Sequence, residues 1–361
     1  MKILLALRGS NLYTKPYCFF KKVYNGIPVD LLYAGAFGLY WEKALKQMGH
    51  KVETVLISKA YLEIEHSRAA PILGALKRRL PIVNHFSERI IGARLLQKIK
   101  RFKPDFILVD SGDSISPNTL NIIKKQIKIP IVNWLLDDPI HHQNWKNVID
   151  SFPLYDCIFV FDPYYIPEFI KLGAKRVEYL PLACDIDIHR DTGHNLGKKR
   201  DLCFVGTITP RRAEILSYLS NLDLNIWTWN PKSLPKPLDE PEYYKGKVWG
   251  EEISRIYNSS KIVINIHHPQ SVFGTNLKTF EIASSCAFQL VDFKKELENL
   301  FKIGEELICY NNVKELIELI KYYLNQPEKR REIALKAQKR VQSEHTYIHR
   351  FTRMLSIIGE I

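Results

Sequence analysis

Long apolar runs are missing from this sequence. None reaches the roughly 18 residues that a helix needs to cross a bilayer. The opening MKILLAL is too short for a secretory signal and has no small-residue cleavage site behind it. It reads as a first strand, and a cytoplasmic chain is the expectation. Paired cysteines are missing too. Cys18, Cys157, Cys184, Cys203, Cys286 and Cys309 are scattered with no C-x-x-C, which excludes a zinc ribbon or thioredoxin-like motif and disfavours a disulfide scaffold. No G-x-G-x-x-G follows a strand pattern, so no dinucleotide cofactor is expected. The absence of a P-loop argues against a kinase or ATPase, and the absence of G-x-S-x-G against a serine hydrolase. His345 and His349 stand at i and i+4 without the glutamate of H-E-x-x-H. Asp185 and Asp187 spell D-x-D, but in a polar stretch and not at a strand exit, so no metal site is expected there.

What is present is globular: of 361 residues, 46% are hydrophobic and 25% charged, a length that suggests two domains. The net charge is +13, and it is uneven. Residues 66–103 hold ten Lys or Arg and one acid, Glu88. Such a patch draws anionic partners. Within it, Ile91, Leu95, Ile99 and Phe102 make one helical stripe with Arg94, Lys98 and Arg101 beside it. That pattern suits a helix lying on an anionic membrane and equally a packed helix with a wet face. Aromatics do not interleave with the charges, so nucleic acid is the weaker candidate.

Strand and helix patterns alternate along the chain. Lys2–Leu7, His50–Ile57, Phe106–Asp110, Ile129–Leu135, Cys157–Phe161 and Val177–Leu180 read as buried parallel strands. The polar stretch 185–200 reads as a linker. A second series follows with Asp201–Val205, Leu224–Trp229, Lys261–Ile266 and Ala287–Asp292, then helices at Asn312–Leu324, Pro327–Ser343 and Tyr347–Ile358; Pro231–Lys245 reads as a proline-rich loop. The expected class is α/β: two doubly wound Rossmann-like domains facing a cleft, with domains at 1–184 and 201–346.

Three segments carry chemistry. In VFGTNLKTFE, Gly274 permits a tight turn, Thr275 and Asn276 open a helix whose first N–H groups form an anion site, and Lys278 adds a point charge one turn in. Glu281, one turn further, can accept both hydroxyls of a ribose. An anion site and a diol acceptor at that spacing suit a nucleoside diphosphate; an ordinary loop–helix junction with solvated Lys and Glu is the plainer alternative. In FVGTITPRR, Gly206 lets a phosphate approach, and Arg211 and Arg212 follow at a helix start. In NWLLDDPIHH, Asp137 and Asp138 stand at a strand exit where a carboxylate can act as general base, with His141 and His142 competing. Solvent-facing arginines and a plain Asp-Pro turn are the respective alternatives.

With these pieces, the order of NWLLDDP, LGAKRVEYLPLACD, FVGTITPRR, YNSSKIVINIH, GTNLKTFE and HTYIHR resembles the CgeB-type (spore maturation protein) glycosyltransferase-like family of the GT-B class. The resemblance implies sugar transfer from a nucleotide-sugar donor bound by the C-terminal domain, an acceptor bound by the N-terminal one, and no metal on a D-x-D. It implies that Glu281 matches a ribose-binding glutamate and that helix 347–361 crosses back to the first domain. Lys278 stands where the family usually has arginine, Cys286 where glycine is common, and Phe273 where retaining members carry a second glutamate, so stereochemistry stays open. By analogy Trp249 and Gly250 lie near the base. The expected function is therefore a metal-independent glycosyltransferase with no separate cofactor. Its partners would be a nucleotide sugar and an acceptor such as an anionic glycan or glycolipid, with peripheral membrane contact through residues 66–103. A non-catalytic degenerate GT-B protein in surface-layer assembly, or a basic membrane- or nucleic-acid-binding protein, is the alternative.

Overall fold

The computed structural model describes residues 1–7, 35–57, 81–141, 145–193 and 200–361, with the backbone alone for 35–37 and 81–88. His142, the aromatic stretch 13–24, residues 66–80 of the basic patch and 194–199 of the polar stretch lie outside the described residues. The chain forms two compact units. Unit 1 is Met1–Leu180 with Phe351–Ile361, and unit 2 is Pro181–Arg350.

Unit 1 holds β1 (Lys2–Leu7), β2 (Lys51–Leu56), β3 (Phe106–Asp110), β4 (Ile131–Leu135), β5 (Cys157–Val160) and β6 (Val177–Tyr179). Its helices are α1 (Gly35–Gln47), α2 (Pro81–Phe102), α3 (Pro117–Gln126), α4 (Lys146–Asp150) and α5 (Tyr165–Lys171). The sheet order is β2-β1-β3-β4-β5-β6, and every pairing is parallel. β3, β4 and β5 are buried along their whole length, as strands covered on both faces must be. β4 starts two residues later than the sequence suggests, because Pro130 has no N–H for the ladder; its carbonyl still accepts from Ile107 at 3.0 Å. Trp41 stacks on Trp134 at 4.8 Å between centroids, and Phe351 meets both rings edge-on.

Unit 2 holds β7 (Arg200–Val205), β8 (Leu224–Trp227), β9 (Tyr244–Gly246), β10 (Ser260–Asn265), β11 (Gln289–Asp292) and β12 (Ile308–Tyr310). Its helices are α6 (Pro210–Ser217), α7 (Glu251–Asn258), α8 (Leu277–Ser284), α9 (Leu297–Leu300), α10 (Val313–Leu324) and α11 (Pro327–Glu344). α12 (Tyr347–Ile358) follows, and from Phe351 it belongs to unit 1. The sheet is again parallel, in the order β12-β11-β10-β7-β8-β9. Alternation along the strands divides two cores. Leu202, Phe204, Ile262 and Ile264 join one cluster, and Cys203, Val205 and Val263 join the other. β9 and β12, each three residues long, form the two sheet edges; they escape a sequence reading because so short a run shows no period. Asn312 caps α10 by accepting from Glu315 N at 2.9 Å, while Glu315 reaches back to Asn311 N at 2.8 Å, one residue beyond the partner of a standard capping box.

His345 fixes the end of α11. Its Nε2–H donates to Leu300 O at 2.8 Å, and Nδ1 accepts from Arg350 Nη2 at 3.0 Å. Protonation would turn that second nitrogen into a donor facing a guanidinium. Burial, then Arg350, push the His345 pKa down to about 4. A histidine depressed in the folded state binds its proton first in the unfolded state, so its stabilisation is full above the unfolded value near 6.5 and is lost as pH falls toward about 4. Its expected share is about 3 kcal/mol, and His189 and His349, also lowered chiefly by burial, act in the same direction. Urea unfolding at pH 7.5 and 5.0 should show a marked acid loss that is shallower in His345→Gln; equal slopes would remove His345 from the explanation.

Candidate functional site

In unit 2, β7 and β10 are neighbours, and the strand order runs outward from them in opposite directions. A crevice forms beyond the carboxyl ends at such a switch point, and ligands of doubly wound sheets bind there. Two of the segments singled out by sequence leave from it. The loop from Gly206 to α6 follows β7, and the loop from His267 to α8 follows β10.

α8 begins at Leu277 because Asn276 caps it, accepting from Thr279 N at 3.0 Å through Oδ1, while Nδ2 donates to Asn265 Oδ1 at 2.8 Å. The Asn276 side chain is thus committed to building the helix start. One turn apart on α8, the Lys278 ammonium lies 2.7 Å from Glu281 Oε2. Glu281 is only 4% exposed, and its Oε1 lies 3.3 Å from His189 Nε2. Burial opposes its ionisation, yet the Lys278 charge and the His189 ring beside it hold the carboxyl below its usual range. His189 belongs to the stretch read as a linker. It is anchored by its N–H to Asp185 O at 2.9 Å and by Ser284 Oγ, which donates to its carbonyl. Asp185 uses its carboxylate to accept from the N–H groups of Asp187 and Ile188.

A second chain of polar groups lies behind the loop. The Arg211 guanidinium pairs with Asp292 Oδ2 at 3.0 Å. Asp292 Oδ1 accepts from the backbone N–H of His267 at 2.7 Å and from its Nδ1 at 2.6 Å. His267 Nε2 meets Thr275 Oγ1 at 2.9 Å, and Thr275 Oγ1 meets Thr279 Oγ1 at 2.7 Å. Burial works against the Asp292 charge, but His267 and then Arg211 bring its pKa down to about 2. Arg211, which follows β7, is thereby tied through Asp292 to the loop after β10. Thr275 is buried and held by its side chain, and Gly274 is buried beside it.

The two arginines divide their work. Arg211 is half-exposed. Arg212 is 8% exposed and donates to Ile266 O at 2.6 and 2.9 Å and to Thr207 O at 2.8 Å. A Cβ on Gly206 would lie 3.2 Å from the Phe204 ring, which stands against that guanidinium. Arg212→Ala should therefore cost about 3 kcal/mol, since it leaves the buried Ile266 carbonyl and the partly buried Thr207 carbonyl unpaired. Arg211→Ala should cost less, because Asp292 keeps both hydrogen bonds from His267. Thermal unfolding of the two variants checks this, and equal losses would contradict it.

In unit 1, the Asp-Pro turn follows β4. Asp138 is 1% exposed, and its Oδ1 accepts from the N–H groups of Ile140 and His141 at 2.8 and 3.1 Å. Asp137 is half-buried and so has the better solvent access of the two. His141 Nε2 lies 3.2 Å from Glu168. The switch point of this sheet, between β1 and β3, carries another polar turn, Asp110-Ser111-Gly112-Asp113. Ser111 and Gly112 both take positive φ, 60° and 81°, and a Cβ on Gly112 would come within 2.6 Å of Tyr155 Oη. That turn was not singled out from sequence; its signal is a polar run directly after five apolar-rich strand residues. His267 and Asp292 also went unnoticed, although each is an ionisable residue at the carboxyl end of a parallel strand.

Residues 209–356 match the model of a family described as Glycosyl transferase-like. Over 260 residues the chain is 28% identical to the spore protein CgeB of Bacillus subtilis (strain 168), covering 67% of this chain and 79% of that protein. Among solved structures, sucrose-phosphate synthase from Thermosynechococcus elongatus is similar with a TM-score of 0.66 at 13% identity, covering 99% of this chain and 98% of that one. HepE of Anabaena, solved in complex with UDP, gives 0.59 at 13% identity over 100% of both chains. The α,α-trehalose 6-phosphate synthase of Burkholderia multivorans gives 0.62 at 11% identity over 99% and 96%. At such identities the structural likeness establishes the fold. No helix among the described residues is long and apolar enough to cross a membrane. The chain is thus similar in sequence to the spore protein CgeB, residues 209–356 match a glycosyl transferase-like family, and the fold is that of the GT-B class.

Proposed function

We propose that the chain transfers a sugar from a nucleotide-sugar donor, held by unit 2, to a hydroxyl acceptor without a bound metal. The observation that carries this reading is that the loops supplying Arg211 and the α8 N-terminus, with Lys278 and buried Glu281, leave neighbouring strands at the β7/β10 switch point and are linked through Asp292 and His267. The first two features suit a diphosphate, and Glu281, one turn on, suits a ribose diol. Gly206, Gly274, Thr275 and Asn276 shape the two loops that would lie against the phosphates. As the sugar–phosphate bond breaks, charge grows on the leaving diphosphate, and fixed cations there stabilise that charge more than the ground state. This supplies what a metal would otherwise supply.

HepE, of similar fold, was solved with UDP and with UDP-glucose, which makes UDP the first nucleotide to try. Trp249, packed against Trp229 at 5.5 Å beyond the end of β8, would serve the base. On the acceptor side, Asp137 is the better placed of the two aspartates to take the hydroxyl proton, since Asp138 is occupied in its turn. The basic face of α2 favours an anionic glycan or glycolipid acceptor and contact with the inner face of a membrane, in a cytoplasmic protein. Calorimetric titration with UDP, GDP and dTDP tests the donor half. One of them should bind one-to-one; no heat from any of the three would overturn the reading.

A further inference from the structure

We infer that Lys278 has two positions and thereby makes the site selective for nucleoside diphosphates over bare nucleosides: it neutralises Glu281 in the empty site and moves to the diphosphate when the donor enters. This rests on the donor reading above and goes beyond it, because it assigns Lys278 a role before any ligand arrives.

Both oxygens of Glu281 have cationic or ring-nitrogen neighbours, Lys278 at 2.7 Å and His189 at 3.3 Å. A ribose diol needs a carboxylate oxygen that is open to it. Of the three side chains, His189 is 2% exposed, Glu281 5% and Lys278 25%, so the lysine is the one that can leave. It is the second residue of α8, on the same turn as the N–H groups that would meet the phosphates. Its four-carbon stem lets the ammonium serve either place. Glu281 is buried, so drawing its cation away without a replacement costs binding energy. The two diol hydroxyls can replace one partner, but only if the displaced ammonium has an anion to receive it. A nucleoside diphosphate brings both hydroxyls and anion. A nucleoside brings the hydroxyls alone and must strand the lysine.

The consequence is a pair of opposite effects from one substitution. In Lys278→Met, Oε2 is open from the start, so the bare nucleoside should bind several-fold more tightly than to the unaltered chain. The diphosphate, which loses a charge-assisted contact, should bind about tenfold more weakly. These titrations are run at pH 8. Nucleoside affinity that is equal or lower in Lys278→Met would overturn the two-position role. A second measurement does not depend on any variant: in a crystal of the unaltered chain with its diphosphate, the Lys278 ammonium should lie on a phosphate oxygen and away from Glu281. A lysine still paired with Glu281 in that complex also overturns the inference. If the unaltered chain binds no nucleoside diphosphate at all, the donor reading itself has failed, and that result appears before any variant is compared.

Discussion

Glu281→Gln should weaken nucleoside diphosphate binding by about 100-fold while the chain stays folded. A diol bound to a carboxylate makes two charge-assisted hydrogen bonds, each worth about 1.5 kcal/mol or more, and 3 kcal/mol corresponds to about two decades of affinity. Glutamine keeps the shape but offers only one accepting oxygen, and its amide nitrogen cannot accept a hydroxyl proton. The partners it leaves behind do not collapse the core. Lys278 is partly exposed and can turn to solvent, and the carbonyl and N–H of His189 remain held by Ser284 and Asp185. Inorganic pyrophosphate gives the contrast. It uses the α8 N-terminus, Lys278 and Arg211 but has no diol, so its affinity should not fall in the same variant. Loss of both ligands together would mean that Glu281 supports the loop and does not hold ribose.

The largest effect on stability should come from Arg350→Ala. Arg350 is 6% exposed and ties together segments far apart in sequence. Its guanidinium donates to Pro181 O at 2.8 Å, Leu182 O at 3.0 Å, Glu344 O at 3.0 Å and His345 Nδ1 at 3.0 Å, and it lies 5.7 Å from the Phe280 ring centroid. Alanine strands two buried carbonyls, one partly buried carbonyl and one ring nitrogen. At about 1–3 kcal/mol for each unpaired group, and with partial relaxation, the loss should be about 4 kcal/mol or more. In a domain of this size that lowers the melting temperature by about 10 °C. Lysine can satisfy one or two of the four acceptors, so Arg350→Lys should fall between. Phe280 precedes Glu281 on α8, so the strut stands directly behind the proposed ribose contact. Denaturant unfolding that changes by under about 1 kcal/mol in the alanine variant would contradict this account.

The long central strands were legible because burial on both faces writes an uninterrupted apolar run, as in KILLAL, FILVD and SKIVIN. The short edge strands β9 and β12 were not, since their pairing is imposed by the neighbour and not by their own pattern. The two loops of unit 2 stood out because glycine followed by cations after an apolar strand is a local signal. Their partnership was not local. Nothing in sequence announces that His267 will hydrogen-bond Asp292, 25 positions away, or that His189 will meet Glu281 from a polar stretch without periodicity. Arg211 and Arg212 are indistinguishable as letters. One residue on a helix is a turn of about 100°, and that rotation sends one half-exposed guanidinium to buried Asp292 and the other to the buried Ile266 carbonyl.

A crystal structure of the chain with a bound nucleoside diphosphate tests the central claim most directly. The account places the phosphates at the start of α8 within reach of Lys278 and Arg211, and both ribose hydroxyls on Glu281. A nucleotide seated elsewhere, such as at the Asp110–Asp113 turn of unit 1, with Glu281 untouched, would contradict it.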